Sequence, residues 1–216
     1  MGSNFVEKTE IRLRREDWDV RPVSITEARN LVEAHHYAKG ASNTGVFIHG
    51  LYSRRDNSLA GIAWWLPPTR VAAESVNRER WRQVLSLTRM VIVPGAPKNA
   101  CSFLLSRSIK AIREDGRFLS LVTWADEGEG HLGGVYRASN WTYVGANSGD
   151  DRWIDPTTGR HVARKAGRKS RTAAEMAAMG YVRIGKSRKH KFVIHLPLPK
   201  RNLSTSDQRE LFSTAA

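Results

Sequence analysis

The segment from Leu85 to Val93 alternates between apolar and polar positions, which is the pattern of a β-strand with one buried face. Arg89 places a charge within this apolar run. Pro94 to Pro97 follow at once and stop the strand, because proline lacks an amide hydrogen. The buried face predicted for the strand consists of Leu85, Leu87, Val91 and Val93.

Beyond the prolines the apolar spacing changes to that of a helix, which ends at Gly116. Another apolar run predicts a second strand from Phe118 to Trp124. Short connections in such a unit favour a right-handed parallel crossover, whose ligands bind at the carboxyl ends of the strands. Those ends are the turn of residues 94–99 and the acidic loop of residues 125–131. The apolar stripe predicted for the helix is Cys101, Leu104, Leu105, Ser108 and Ile112.

Helix and hairpin signals precede this unit. A capping box at Ser24 to Glu27 predicts a helix that runs to about His35, with His35 facing the core and His36 at the helix end. Strands from Val46 to Tyr52 and from Leu59 to Leu66 form a predicted hairpin. This order indicates an α/β (α+β) fold with a mixed central sheet flanked by helices.

The composition is that of a globular protein, with 216 residues, 40% of them hydrophobic, and seven tryptophans for a core. No apolar run approaches the roughly 18 residues of a membrane span, and the first residues carry neither a secretion nor a lipidation signal. We therefore expect a soluble, cytoplasmic protein. The single cysteine, Cys101, lies on the apolar helix stripe and is predicted to be a buried structural thiol.

The formal charge of +14 is concentrated in residues 160–191, which hold eleven Lys or Arg and one acid, Glu175. Such a stripe neutralises phosphates and releases counterions, which favours a nucleic acid as the partner. A solvated basic surface or an acidic partner is the alternative. The basic residues predicted to contact nucleic acid are Arg164, Lys165, Arg168, Lys169, Arg171, Lys186, Arg188, Lys189 and Lys191.

This basic segment is expected to be folded and to continue the sheet. A capping box at Thr172 to Glu175 predicts a short helix through Met179, and Lys189 to Leu196 has the pattern of a strand. Residues 147–159 are expected to form a loop, and Leu203 to Ala216 a frayed terminus.

The order of the elements resembles the second half of the GNAT acyltransferase fold. Leu85 to Ile112 would be its central strand, pyrophosphate-binding turn and helix, and Val135 to Trp141 its later helix. The resemblance implies acetyl-CoA as the donor, although residues 97–102 lack the glycines that usually cradle the pyrophosphate. The residues implied in cofactor binding are Val91, Val93, Lys98, Asn99, Ala100 and Ser102.

Several short motifs follow one another along the chain: His35-His36-Tyr37, Lys39 to Asn43, Thr88-Arg89-Met90, Pro97-Lys98-Asn99, Trp124-Ala125-Asp126, Tyr136-Arg137-Ala138 and Lys189 to Val193. Together they resemble the Mom family of phage DNA-modification proteins, which convert adenine in DNA to an N6-carbamoylmethyl derivative and so hide the phage genome from restriction enzymes. The resemblance implies a transferase that acts on double-stranded DNA in the host cytoplasm. The alternatives are a conventional N-acetyltransferase of a protein or small-molecule amine, and a DNA-binding protein without activity.

The organisation predicted from these features is a GNAT-like catalytic core over residues 1–146, a basic extension over 147–200 that completes the sheet and contacts DNA, and a flexible tail over 201–216. The residues predicted to form the catalytic site are His36, Tyr37, Arg89, Asp126 and Tyr136.

Each catalytic candidate has a structural alternative. His36 either caps the helix or accepts a proton. Asp126 is either a general base, favoured by the like charge of Glu127 and Glu129, or a carboxylate that caps the helix near Gly133.

Tyr136 is either a general acid, as the acyltransferase resemblance implies, or a core aromatic. Arg89 either pairs with a buried acid such as Asp126 or reaches an anionic substrate. The aromatic residues that could stack on an adenine extruded from the duplex are Tyr37, Trp124 and Tyr136, or Trp64 and Trp65. A two-His-one-carboxylate iron site is possible but not demanded by any spacing, and its candidate ligands are His36, Asp126, Glu127, Glu129 and His131.

Overall fold

A computed structural model describes residues 12–37, 40–166 and 169–197. The predicted tail, the frayed terminus from Leu203 and the basic residue Arg168 lie outside these ranges. The strands in chain order are β1 (Trp18–Pro22), β2 (Phe47–Ser53), β3 (Leu59–Leu66), β4 (Val84–Ile92), β5 (Ser120–Asp126), β6 (Thr142–Ala146), β7 (Asp150–Ile154), β8 (His161–Val162), β9 (Lys165–Ala166), β10 (Lys169–Ser170), β11 (Val182–Ser187) and β12 (Lys189–His195). The helices are α1 (Ile25–His35), α2 (Arg70–Glu74), α3 (Ala100–Asp115), α4 (Gly134–Ala138) and α5 (Ala173–Ala178).

The main sheet has seven strands in the order β1-β2-β3-β4-β5-β12-β6. All neighbouring strands in this sheet are antiparallel except β4 and β5. These two strands pair in parallel, and α3 connects them along the chain. The predicted hairpin and the predicted parallel crossover are therefore confirmed, although β5 begins at Ser120 rather than at Phe118. The mixed α/β architecture is confirmed with them.

Helices pack against both faces of this sheet. Successive strand residues point to opposite faces, so Trp64 packs in the core beside α1 while Trp65 packs in the core beside α3. Leu104 and Leu105 supply the centre of the α3 contact, and both are fully buried. No helix in the described ranges is long and apolar enough to cross a membrane.

The capping box that begins α1 is present, because the Ser24 side chain accepts from the Glu27 amide and Glu27 reaches back to the backbone of Ser24. The placement of His35 in the core was wrong, since its side chain is exposed. Ala28 and Val32 are the buried residues of α1. The buried stripe of α1 therefore ends at Val32, one turn before the exposed His35.

The loop predicted over residues 147–159 was also wrong, because it contains β7. This strand lies between β11 and β8 in a second, three-stranded sheet. Trp153 is 4% exposed, and the Nε of Arg183 lies 2.7 Å from Oδ1 of Asp151 across the pair. Burial of one aromatic residue and a cross-strand ion pair thus hold a polar segment in a sheet. The predicted α5, with its capping box at Thr172, and the predicted strand β12 are confirmed.

Candidate functional site

The site lies where β4 and β5 separate. Their parallel pairing covers only Val84 to Ser86 opposite Ser120 to Val122, although both strands continue. β4 also contains an extra residue, Thr88, between the positions that pair with Trp65 and Trp64 of β3. A β-bulge of this kind bends its strand. The gap beyond the last pair holds a cavity of about 590 Å³.

All five predicted catalytic residues lie on the wall of this cavity, namely His36, Tyr37, Arg89, Asp126 and Tyr136. They come from the end of α1, from β4, from β5 and from α4. His35 and His131 also line it. Of the predicted cofactor residues only Val91 does so, whereas Val93, Lys98, Asn99, Ala100 and Ser102 lie outside the wall.

Asp126 is fixed at the end of β5 by donors from two parts of the chain. Its Oδ1 accepts from the Gly128 amide at 3.0 Å and from the Ser187 hydroxyl. The Gly128 amide also donates to the Ser187 oxygen at 2.9 Å. A side chain at Gly128 would collide with Arg152 and Ser187, so the loop lies close against the second sheet. Asp126 therefore caps the short turn Glu127–Glu129 and not the helix near Gly133.

The acidic loop is compensated by basic residues of the second sheet and its neighbours. Glu127 receives two hydrogen bonds from Arg188, the shorter at 2.9 Å, and these lower the pKa of Glu127. Nη2 of Arg152 lies 2.7 Å from Glu129. The expected accumulation of like charge beside Asp126 is thus wrong, because both neighbouring carboxylates have cationic partners.

Aromatic and imidazole rings line the mouth of the cavity. His36 stacks on Tyr37 with ring centroids 4.3 Å apart, and Tyr37 lies 5.8 Å from the ring of His131. Partial burial raises the pKa of Tyr37, and the negative charge of Asp126 adds to the effect. A flat ligand that entered the cavity here would meet the rings of His36, Tyr37 and His131.

Tyr136 closes the inner end of the cavity. It is 8% exposed and packs 5.3 Å from the Phe192 ring and 5.6 Å from Trp141. Burial raises the pKa of Tyr136 to about 12, so that its hydroxyl stays protonated at neutral pH. The alternative stacking pair, Trp64 and Trp65, is fully buried and cannot reach a ligand.

Among the described residues, Arg89 bonds to backbone carbonyls and to no carboxylate. Its Nε donates to the Gly40 carbonyl at 2.8 Å and its Nη1 to the Thr88 carbonyl at 2.7 Å. Within the described ranges no ion pair joins it to Asp126, so the predicted salt bridge was wrong. The guanidinium instead holds Gly40 against β4.

Metal ligands do not assemble at the site. Among the residues that the structure describes, no three His, Cys, Asp or Glu side chains are grouped so that they could share a metal ion. The Glu127 and Glu129 carboxylates of the suggested iron site are bonded to arginines instead. Cys101 lines the cavity, but burial raises the pKa of its thiol to about 11, which keeps it in the unreactive form.

The turn before α3 is polar and partly covered. Lys98 and Asn99 are exposed, and Asn99 takes the left-handed conformation with φ of 72° at the start of the helix. The Leu13 amide donates to the Lys98 carbonyl at 3.0 Å. The amides of Cys101 and Ser102 precede the first intrahelical bond and point into the space before the helix.

The predicted DNA-contacting residues divide into bonded and exposed groups. Lys169 pairs with Glu175 at 3.3 Å, Arg188 with Glu127, and Lys191 donates to the Ser75 hydroxyl at 2.7 Å. The Nε of Arg164 donates to the Arg171 carbonyl at 2.9 Å. Lys165, Lys186 and Lys189 are exposed as Lys169 is, but no ion pair with another described residue engages them.

Lys189 and Lys191 also lie near the cavity between β4 and β5. They face Asp126 and Trp124 directly across the β12–β5 pair. Both lysines line a second cavity of about 380 Å³, and Trp124 forms part of the wall of both cavities. Sequence reasoning found the two lysines but not their position beside the site, because only strand register reveals it.

The sequence matches the Mom protein family over residues 17–210. It is 30% identical over 160 residues to the methylcarbamoylase Mom of Escherichia phage Mu, in an alignment that covers 67% of this chain and 63% of that protein. The match therefore spans less than two thirds of the length of this relative.

Solved acetyltransferases share the fold. The ribosomal-protein-S18-alanine N-acetyltransferase of Escherichia coli superposes with a TM-score of 0.50 at 11% identity, over 87% of this chain and 99% of that one. A Bacillus subtilis acetyltransferase in complex with CoA superposes with a TM-score of 0.51 at 9% identity, over 83% and 98% of the two chains. At such low identity these likenesses concern the fold alone, and they confirm the predicted GNAT-like architecture.

Proposed function

Because the chain belongs to the Mom protein family, we propose that it is a transferase that modifies DNA by placing a carbamoylmethyl group on N6 of adenine. The observation that carries this proposal is the cavity between β4 and β5, where His36, Tyr37, Arg89, Asp126 and Tyr136 meet. In a phage genome the modification would protect the DNA from host restriction enzymes.

The substrate base must leave the duplex to react, because N6 of a paired adenine is engaged within the double helix. The cavity of about 590 Å³ falls in the usual range for small-molecule sites and has room for a base and a donor group. Extrusion costs a few kcal/mol of unstacking, which phosphate contacts to the basic residues would offset. Tyr37 and Trp124 are the rings on the wall that would stack on the adenine.

Asp126 is the proposed proton acceptor for N6. Its hydrogen bonds from Gly128 and Ser187 both end on Oδ1, which leaves Oδ2 to take the proton as the new bond to nitrogen forms. His36 stands on the same wall and would pass the proton onward. Tyr136, which is protonated at neutral pH, would donate a hydrogen bond or a proton to the departing group.

An acyl-CoA such as acetyl-CoA is the proposed donor. The parted strands and the first turn of α3 fit such a molecule: Val91 lines the cavity, and Lys98 with the amides of Cys101 and Ser102 would hold its pyrophosphate. Bound there, it would supply an activated acyl group. Attack of N6 on the thioester of acetyl-CoA would give N6-acetyladenine and release the CoA thiol. A carbamoylmethyl group is joined through a methylene, so its transfer needs a donor that already carries the amide and has a leaving group on that methylene carbon. The mass of the product therefore decides between the two donors.

Mass spectrometry of nucleosides tests the proposal directly. DNA from cells that make the protein should contain an adenosine nucleoside heavier by a carbamoylmethyl group. Asp126→Asn should lower its yield by about 10² to 10⁴, the usual loss for a general base, while Asp56→Asn in an exposed turn should leave it unchanged. If Asp126→Asn keeps more than about a tenth of the yield, the acid is structural and His36 or Tyr136 takes its place.

A conventional N-acetyltransferase is the second candidate, and the shared fold favours it. It would leave DNA nucleosides unchanged and would transfer acetyl groups to a protein or small amine without DNA. A protein that binds DNA without catalysis would give neither product.

A further inference from the structure

Leu132 is an apolar side chain that the fold leaves in solvent at the mouth of the catalytic cavity. It lines the cavity and is 59% exposed. Burial of a leucine normally contributes to stability, so an exposed one at a site entrance gains little within the folded chain. Its position indicates a contact with something that approaches the cavity from outside.

The loop that carries Leu132 is short and held at both ends. Gly130 and Gly133 adopt φ of 74° and 75°, a conformation that other residues rarely take. A side chain at Gly133 would collide with the ring of Phe192, so this end of the loop lies directly on β12. At the other end, Gly128 packs against Arg152 and Ser187. Leu132 is therefore presented from a fixed base.

Basic residues flank this loop on the side of the second sheet. Arg152 and Arg188 bond to its acidic start, and Lys189 faces Asp126 across the neighbouring strand. A duplex bound by this basic surface would pass the mouth of the cavity. Its base pairs would then lie within reach of the loop.

We propose that Leu132 is an intercalating residue that enters the base stack as the target adenine leaves it. This inference rests on the proposed function, because it needs a duplex as the substrate. Leucine is among the apolar side chains that proteins insert between base steps, where they replace lost stacking. Tyr37, whose ring lies 5.8 Å from that of the adjacent His131, would remain free to stack on the extruded adenine.

Fluorescence of 2-aminopurine measures extrusion without any need for the donor. The probe replaces adenine, opposite thymine, in duplexes that cover every combination of neighbouring base pairs. Wild-type protein should raise the fluorescence of at least one duplex. Leu132→Ser should bind that duplex with unchanged affinity but lose most of the rise in fluorescence, whereas Leu132→Met should keep the rise. Val71→Ser is the control and should behave as wild type, because Val71 is 79% exposed on α2 and away from the cavity.

Rescue by an unpaired base separates intercalation from other roles. In cells, Leu132→Ser should lower the yield of modified adenosine about tenfold or more. On purified DNA with the 2-aminopurine opposite an abasic site, the fluorescence rise produced by Leu132→Ser should return to within about twofold of the wild-type rise, since little pairing energy remains to be overcome.

Two results would overturn the assignment. If Leu132→Ser shows the same deficit on paired and unpaired adenine, the side chain contacts the base or the donor inside the cavity. If it extrudes paired adenine as well as wild type does, it has no part in extrusion. Failure of the proposed function would look different, because no modified nucleoside would form even with wild-type protein.

Discussion

Replacing Ser187 with alanine tests whether the second sheet positions the proposed base. The Ser187 hydroxyl donates to Asp126 and accepts from the Gly128 amide, and the residue is 6% exposed. Ser187→Ala removes both bonds and leaves Asp126 with the Gly128 amide alone. A hydrogen bond to a charged group contributes about 1.5–3 kcal/mol to stability. Because 1 kcal/mol shifts the melting temperature of a chain of this size by about 2–4 °C, we expect a fall of roughly 3–12 °C.

The expected loss of activity is larger than the loss of stability explains. Without Ser187 the Asp126 carboxylate can rotate away from the substrate, and a displacement of about 1 Å can cost a factor of about 10² in rate. We expect the yield of modified adenosine per folded protein to fall about 10- to 100-fold. Yield is measured in cells grown well below the melting temperature, with folded protein determined in the same lysate.

Ser108 provides a matched control. It is also buried and also makes two side-chain hydrogen bonds, with His49 and Trp65, each 2.7 Å long. Ser108→Ala should therefore lower the melting temperature by a similar amount. Because Ser108 lies on the buried face of α3 and does not line the cavity, the change should leave the yield per folded protein unchanged. Equal loss of yield in both variants would show that stability alone is responsible. A wild-type yield from Ser187→Ala would show that the second sheet does not position Asp126 for the reaction.

Three further predictions concern the basic surface, the donor turn and a buried tyrosine. Alanine replacement of the exposed Lys165, Lys186 and Lys189 should flatten the dependence of DNA affinity on salt by up to about three units of logarithmic slope, and an unchanged slope would exclude them from the footprint. Lys98→Glu should weaken acetyl-CoA binding more than about tenfold in calorimetry, and Lys110→Glu on α3 is the control that should leave it unchanged. If wild-type protein binds no acetyl-CoA, the donor is another compound. Burial raises the pKa of Tyr136 from 10.0 to about 12, so its contribution to stability is complete below pH 10 and is lost as the pH rises toward 12. The free energy of unfolding of Tyr136→Phe should therefore fall less steeply over that range, and an equally steep fall would contradict the assignment.

Features set by neighbouring residues in the chain could be predicted, and those set by distant partners could not. Capping boxes, the stripe of α3 and the crossover to β5 depend on short spacings. The residues that they bring to the end of β5 do line the cavity, whereas the turn after β4 does not. By contrast, β7 appears polar in sequence and is recognisable only beside β11. The bond from Ser187 to Asp126 joins residues 61 positions apart, and no local pattern announces it.

The predictions that were wrong at the site also concerned contacts with distant parts of the chain. His35 continues the apolar spacing of α1, but the helix ends beyond the edge of its contact with the sheet. Arg89 was expected to need a carboxylate partner, yet the Gly40 carbonyl from a loop 49 residues earlier satisfies it. Backbone carbonyls leave no signature in the sequence. A charged residue within an apolar strand can therefore be recognised from the sequence, but a backbone group that accepts its hydrogen bonds cannot.

The position of β12 decides when the protein can become active during its synthesis. This strand, the last in the described part of the chain, inserts between β5 and β6, which are made much earlier. Domains generally fold as the ribosome releases them, from the N-terminus onward. Until β12 emerges, the edge of β5 that bears Asp126 has no strand beside it, and Ser187 and Lys189 are absent. The nascent chain would thus complete its hydrophobic core, to which β12 adds the buried Phe192, and the surroundings of Asp126 in the same late step. A prematurely terminated polypeptide would therefore lack the site that we propose acts on DNA.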